Sequence, residues 1–131
     1  MPEISETKDS ILNSIKKLLG PEEEYTHFDT DIIIHIIIHI NTFLANLVQV
    51  GIGARNFVLT DATQTWSDFL GEDTSHLLQA RTYVYIRVKL IFDPPASSLA
   101  ANAMEKTADE LLWRMNVDVD PGMEELFNEH S

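Results

Sequence analysis

The sequence predicts an all-α fold: a small bundle of four main helices at about residues 7–19, 30–50, 74–92 and 95–116. Two observations carry most of that expectation. From Asp31 onward the non-apolar residues fall at Asp31, His35, His39, Thr42, Asn46 and Gln49, in steps of 4, 4, 3, 4 and 3. Such steps trace one polar stripe on a helix of 3.6 residues per turn. The stretch "SSLAANAMEKTADELLWRMN" keeps the same period, with Ala100, Met104, Ala108, Leu111, Leu112 and Met115 on one face. A length of 131 residues suits one domain, and a chain 44% hydrophobic and 23% charged is ordinary for a folded protein.

The first element, "TKDSILNSIKKLL", gathers Ile11, Leu12, Ile15, Leu18 and Leu19 on one side of a short amphipathic helix. Gly20 and Pro21 end it, and the three acids that follow read as a solvated loop.

The second element holds six isoleucines between residues 32 and 38. Isoleucine is a mediocre helix former because of its β-branch, so packing must hold this helix. Apolar residues around most of its circumference predict a central, buried rod, with Ile33, Ile36, Ile37, Ile40, Leu44 and Leu47 in the core. Asn41 is the one exception to the stripe. Asp29 can cap the start, Asp31 places an acid in the first turn, and Phe28 and Ile33 sit at staple spacing. The "GIG" at Gly51–Gly53 marks the end. A membrane span fits poorly, because two His, two Asn, one Thr and one Gln would lie unpaired in lipid. His35 and His39, four apart, could face one metal ion, but no glutamate follows the first and no third ligand is evident. No metal and no cofactor is expected.

Residues 51–73 read as an irregular loop with a short β-prone "NFVLT" and one helical turn, "TWSDFLG", that Thr65 can cap. Phe57, Trp66 and Phe69 are too much aromatic surface for a mere connector. They either pin the loop to the core or form a contact for a neighbouring subunit.

Residues 74–92 are ambiguous. By twos, Val84, Ile86, Val88 and Leu90 alternate with Tyr83, Tyr85, Arg87 and Lys89, a fair strand pattern. By helical spacing, Leu77, Ala80 or Arg81, Val84, Val88 and Ile91 make a stripe, with Thr74 as a cap. Length weighs slightly toward helix. "DPP" at Asp93–Pro95 stops what precedes it, and Asp93 can cap the next helix. In that helix Met104, Leu111 and Leu112 are core, and Trp113 is core or interface filler. Beyond Asn116, "VDVDPGMEELFNEHS" has five acids and no Lys or Arg. The chain therefore divides into a helical domain, 1–116, and an acidic tail, 117–131, whose Met123, Leu126 and Phe127 could dock on a partner.

A formal charge of −12 argues against non-specific nucleic-acid binding and against an anionic membrane surface. There is no cysteine to make a disulfide or a thiolate metal site. The order of a signal peptide is missing, so the expected compartment is the cytoplasm or an assembly released from it. No nucleophile elbow, Walker motif or dinucleotide fingerprint occurs, and the carboxylates sit in hydrophilic runs; no enzyme is expected.

At "INTFLANLVQVGIG", "TWSDFLG" and above all "YVYIRVKLIFDPPASSLAANAMEKTADELLWRMN" the chain resembles the head–tail connector (adaptor) proteins of long-tailed bacteriophages and prophages, from about residue 9 to residue 116. The resemblance implies an all-α fold, and so a helix at 74–92. It implies a structural virion protein without enzymatic activity: a homo-oligomeric ring of about twelve between the portal and the tail or stopper protein. Such a ring sits at the head–tail junction, after synthesis in the host bacterial cytoplasm, and completes the head. It also implies that the C-terminal segment grips the portal, which points at Met123, Leu126 and Phe127. DNA would pass without specific binding. A dozen copies at −12 each carry on the order of −140 charges, and anions repel phosphate within a Debye length of about 8 Å. A ring interface is heterologous, so each subunit needs two different faces. Phe57, Trp66, Phe69, Tyr83 and Tyr85 are the candidates for subunit contact. The competing readings are a small acidic adaptor or regulator that binds a host protein through its tail, and a histidine-dependent metalloprotein.

Overall fold

The computed structural model describes residues 8–20 and 30–119. Among them are five helices and no strand: α1 (Ile11–Leu19), α2 (Thr30–Gln49), α3 (Trp66–Leu70), α4 (Leu77–Phe92) and α5 (Ser98–Val119). The segment left open between strand and helix is therefore helical. It is also the hub, since α1, α2 and α5 all pack against α4. Leu77, Ala80, Tyr83, Val84, Ile86 and Val88 of α4 are buried. That set merges the two sequence patterns, because a helix surrounded by neighbours needs apolar residues all round. Ile91, expected in the core, is 47% exposed, since it falls in the last turn of α4.

The isoleucine helix is a flank rather than the central rod. Ile36, Ile40, Leu44 and Leu47 are buried, and Ile33 and Ile37 are partly buried against the core. Ile34 and Ile38, however, are 49% and 52% exposed. Two asparagines explain the rotation. Asn46 donates to the Tyr83 hydroxyl at 3.0 Å. Asn41 grips the backbone of Leu59 twice, donating to its carbonyl at 2.9 Å and accepting from its N–H at 2.8 Å. Both amides find protein partners, so their side of the helix turns inward and isoleucines turn out. By length and composition alone α2 could cross a membrane, yet Asn41 and Asn46 bond partners inside the folded body and Asp31, His35, Thr42 and Gln49 are exposed. The expected cap Asp29 and staple residue Phe28 lie outside the described residues.

The α2 C-terminus shows why "GIG" is there. Ile52 N–H bonds Leu47 O at 2.9 Å and Gly51 N–H bonds Val48 O at 3.0 Å, the paired bonds of a Schellman turn. Gly51 sits at φ +92°, and a Cβ there would come within 2.6 Å of Val119 Cγ1. Gly53 has the same φ, and its Cβ would overlap the Phe69 ring. The loop that follows is fixed by polar bonds instead of a strand. "NFVLT" pairs with no other strand; Asn41 takes that role at Leu59. Gln64 Oε1 accepts from Thr60 and Asp61 N–H, and its Nε2 donates to Val58 O.

Thr65 caps α3 in a capping box with Asp68. α1 is tied to this point by backbone bonds: Ile11 N–H to Gln64 O at 3.0 Å and Trp66 N–H to Asp9 O at 3.1 Å. The Trp66 indole N–H adds a bond to Ser14 Oγ at 2.9 Å. Ser10 caps α1 through Asn13 N–H at 3.1 Å. Leu18, expected on the apolar side, is 45% exposed.

Two predicted caps move. α4 begins after His76, not at Thr74, whose carbonyl accepts Leu77 N–H at 3.1 Å. Asp93 closes α4 rather than opening α5: its N–H bonds Lys89 O at 2.8 Å and its carboxylate pairs with Lys89 Nζ at 3.2 Å. Ser97 Oγ then accepts Ala100 N–H at 3.3 Å as α5 starts. α5 buries Ala108 and Met115 and partly buries Met104, Leu111 and Leu112. Ala100 is exposed. The helix continues three residues past the expected end at 116, because Asp118 meets His76 at 3.3 Å and Val119 rests on Gly51.

Candidate assembly surfaces

The aromatic residues proposed for subunit contact separate into two groups. Trp66, Phe69 and Tyr83 are buried at 0%, 1% and 1% exposure. They build this chain's own core and cannot be its outer face. Trp66 closes α3 onto α1, and Phe69 meets Phe57 edge-on at 5.3 Å and fills the space beside Gly53. Tyr83 packs edge-on to Phe43 at 6.4 Å, beneath the Arg87 guanidinium at 5.5 Å. Phe57 and Tyr85 are half-buried against the core. The signal available in the sequence was spacing: Trp66 and Phe69 lie i, i+3 directly after a capping threonine, which marks a helical turn with one inward face.

Arg87 links the hub to α5. Partial burial disfavours its charge, but the Tyr83 hydroxyl and the Asp109 carboxylate outweigh that and hold its pKa above the usual arginine value. Arg114 and Glu110 pair along the outer side of α5 at 2.6 Å.

Apart from Trp113, read from the sequence as core or interface filler, the exposed apolar surface was not foreseen. On α2, Ile34 and Ile38 lie one turn apart on the open side. On α5, Leu99 is 80% exposed and Trp113 is 49% exposed. The missed signal lay in the isoleucine run: the stripe accounts for six positions of α2, and a run that apolar leaves more isoleucine than one contact with α4 can cover.

His35 is exposed, and His39 packs edge-on to Phe92 at 5.4 Å, at the rim where α2 meets the end of α4. Among the described residues no three His, Asp or Glu side chains converge as a metal site would need. The clefts are open. One of about 510 Å³ runs between the "GIG" turn and the α5 end, with Asp68, Asp73, His76 and Asp118 on its walls. Another of about 480 Å³ lies between α1 and α4. Met123, Leu126 and Phe127 of the tail lie outside the described residues.

Charge is segregated along the chain. All nine Lys and Arg fall between Lys8 and Arg114, whereas the twenty-one acids run from Glu3 to Glu129. Ten of the acids fall in residues 1–7, 21–29 and 120–131, which hold no Lys or Arg.

The described residues form an all-helical body with large apolar side chains exposed on both of its flanking helices. The chain matches the family model of the phage connector protein over residues 11–122, and it belongs to that family. No curated protein and no solved structure matches it significantly. Membership makes it a structural component of a bacteriophage virion that interacts with other virion proteins.

Proposed function

We propose that the chain is a ring subunit seated between portal and tail, completing the head and extending the DNA channel, with no catalytic step of its own. The observation that carries this reading is the pair of apolar surfaces on α2 and α5. Both helices pack against α4; Ile34 and Ile38, one turn apart, form an exposed patch on α2, and Trp113 exposes apolar surface on α5, with Leu99 a separate exposed position about 21 Å away along that helix. Closed heterologous assembly requires two such patches. Ring closure of about twelve copies would bury both, and the tail residues Met123, Leu126 and Phe127 would reach the portal. DNA would pass without being held, repelled by the acids of residues 1–7, 21–29 and 120–131.

Negative-stain imaging and co-sedimentation of the protein with its portal test this. Annular particles are expected with the native chain. The variant Ile34→Asp/Ile38→Asp should keep its helical circular dichroism and form none. If the native chain neither forms annuli nor co-sediments with the portal, the reading fails. A tail-dependent regulator of a host protein would instead keep full solution behaviour and lose only that partner when its tail is altered.

A further inference from the structure

We infer that the outer stripe of α2 packs in parallel on the outer stripe of α5 of a second copy of this chain, with Asp31 opposite Lys106 and Ile38 opposite Trp113. This rests on the ring reading above and names the contact that closes the ring.

Both stripes follow from helical spacing. On α2, Asp31, Ile34, Ile38, Thr42 and Ala45 recur in steps of 3, 4, 4 and 3, and all are exposed. On α5, Lys106, Glu110 and Trp113 recur in steps of 4 and 3, and all are exposed. Each stripe lies about half a turn round its helix from the buried residues, Ile36, Ile40 and Leu47 on α2 and Ala108 and Met115 on α5. Ile38 is 52% exposed and Trp113 is 49% exposed, so no contact within the chain covers them.

Charge selects the partner and the register. Asp31 is the one acid of α2, which holds no Lys or Arg. The cations of α5 are Lys106 and Arg114. Arg114 is engaged with Glu110, whereas neither Lys106 nor Asp31 has an ion-pair partner among the described residues. Of the acids within one turn of Lys106, Asp109 holds Arg87, Glu110 holds Arg114, and Glu105 points about 100° away. Asp31 and Ile38 are seven residues apart, as are Lys106 and Trp113. Each pair therefore spans about 10.5 Å on nearly one line of its helix. Laid parallel, a single register satisfies both couples at once. Laid antiparallel with Ile38 on Trp113, Asp31 falls at the acidic end of α5, near Asp118. Two α2 stripes face to face leave Asp31 without a cation. A tryptophan at the centre of the contact carries most of the binding, and the ion pair at its rim sets register more than strength.

The absence of cysteine makes the test clean. The full-length variant Ile38→Cys/Trp113→Cys, mildly oxidised at high protein concentration, should give a ladder of disulfide-linked dimers, trimers and larger species, because every copy offers both faces. Either single variant should give several-fold less dimer. Adding Lys106→Glu to the double variant should cut the ladder several-fold, and adding Asp31→Lys to that chain should restore it. Helical circular dichroism should stay unchanged throughout, since all four positions are exposed. A missing ladder overturns the inference, as do dimers equally abundant in a single variant, or a ladder indifferent to Lys106→Glu. Annuli with the portal but no ladder would overturn this contact and leave the ring reading standing. A ladder without annuli would keep the contact and remove the portal.

Discussion

Asn41 lies off the polar stripe of α2, and the structure gives it a partner that no periodicity could name. Its amide holds both backbone groups of Leu59, eighteen residues away. Asn41→Leu keeps the helix but leaves that N–H and carbonyl unpaired against the core. The expected cost is about 1–3 kcal/mol, read from urea denaturation; an unchanged midpoint would mean the loop is held by other contacts. The turn acids follow a different logic. Thr63 hydroxyl and N–H bonds hold the Asp61 pKa below its usual range, and Ser75 hydroxyl and N–H bonds, with His76 nearby, do the same for Asp73. A depressed folded pKa gives stability that is present above the unfolded value and lost as pH falls through the lower folded one. Carboxyl-carbon titration should therefore find both midpoints below the ordinary aspartate value of about 3.9. Midpoints at or above that value would contradict the bonds.

At the scale of elements, the short helix α3 ties α1 to the loop, beside the packing of α1 on α4. Trp66 is fully buried, bonds Ser14 through its indole, and receives α1 through the Asp9 carbonyl. Trp66→Ala should cost about 3–5 kcal/mol and raise amide exchange in α1 first. If α1 stays protected while only assembly suffers, Trp66 would be an interface residue after all. The contact between α4 and α5 is tight at Ala108, whose side chain is fully buried. Ala108→Leu overpacks it, at an expected 1–3 kcal/mol, seen as a lower melting temperature. The existence of α1, α2 and α5 was legible from period and breakers. The identity of 74–92 was not, because a helix buried on several sides and a strand both read as apolar with scattered polar residues. The cap assignments at Thr74 and Asp93 failed for a related reason. Either residue can serve the end of one helix or the start of the next, and the choice is set by where the neighbouring helices pack.

For the whole molecule, the division of charge matters more than its sum. Ten of the twenty-one acids fall in residues 1–7, 21–29 and 120–131, while every Lys and Arg falls between Lys8 and Arg114, so the sequence of the helices that bear the candidate interface is the less acidic part of the chain. Ring formation should therefore depend weakly on salt and strongly on apolar surface. Comparing Ile34→Asp/Ile38→Asp with the native chain across 0.05–0.5 M salt would show it; a ring that dissolves in salt and ignores the isoleucine changes would reverse the assignment. The candidate interface read from the sequence lay on loop and α4 aromatics, and the fold leaves Ile34 and Ile38 of α2 and Trp113 of α5 exposed. Aromatic residues in a loop carry enough area to form a core by themselves, so Trp66, Phe69 and Tyr83 are consumed inside before any neighbour arrives.

By itself the sequence determined the helices that repeat at 3.6 residues, the glycine stop after α2, the lack of a catalytic motif and the family to which the chain belongs. Local patterns of that kind depend only on backbone geometry and neighbouring residues. Tertiary structure alone decided which helix is the hub, which asparagines turn inward, and which hydrophobic residues remain wet. The physical reason is that a polar group is satisfied equally by water or by a distant protein atom, and sequence spacing does not distinguish the two. Only when Asn41 meets Leu59 and Asn46 meets Tyr83 does α2 take its rotation and present Ile34 and Ile38 to the outside.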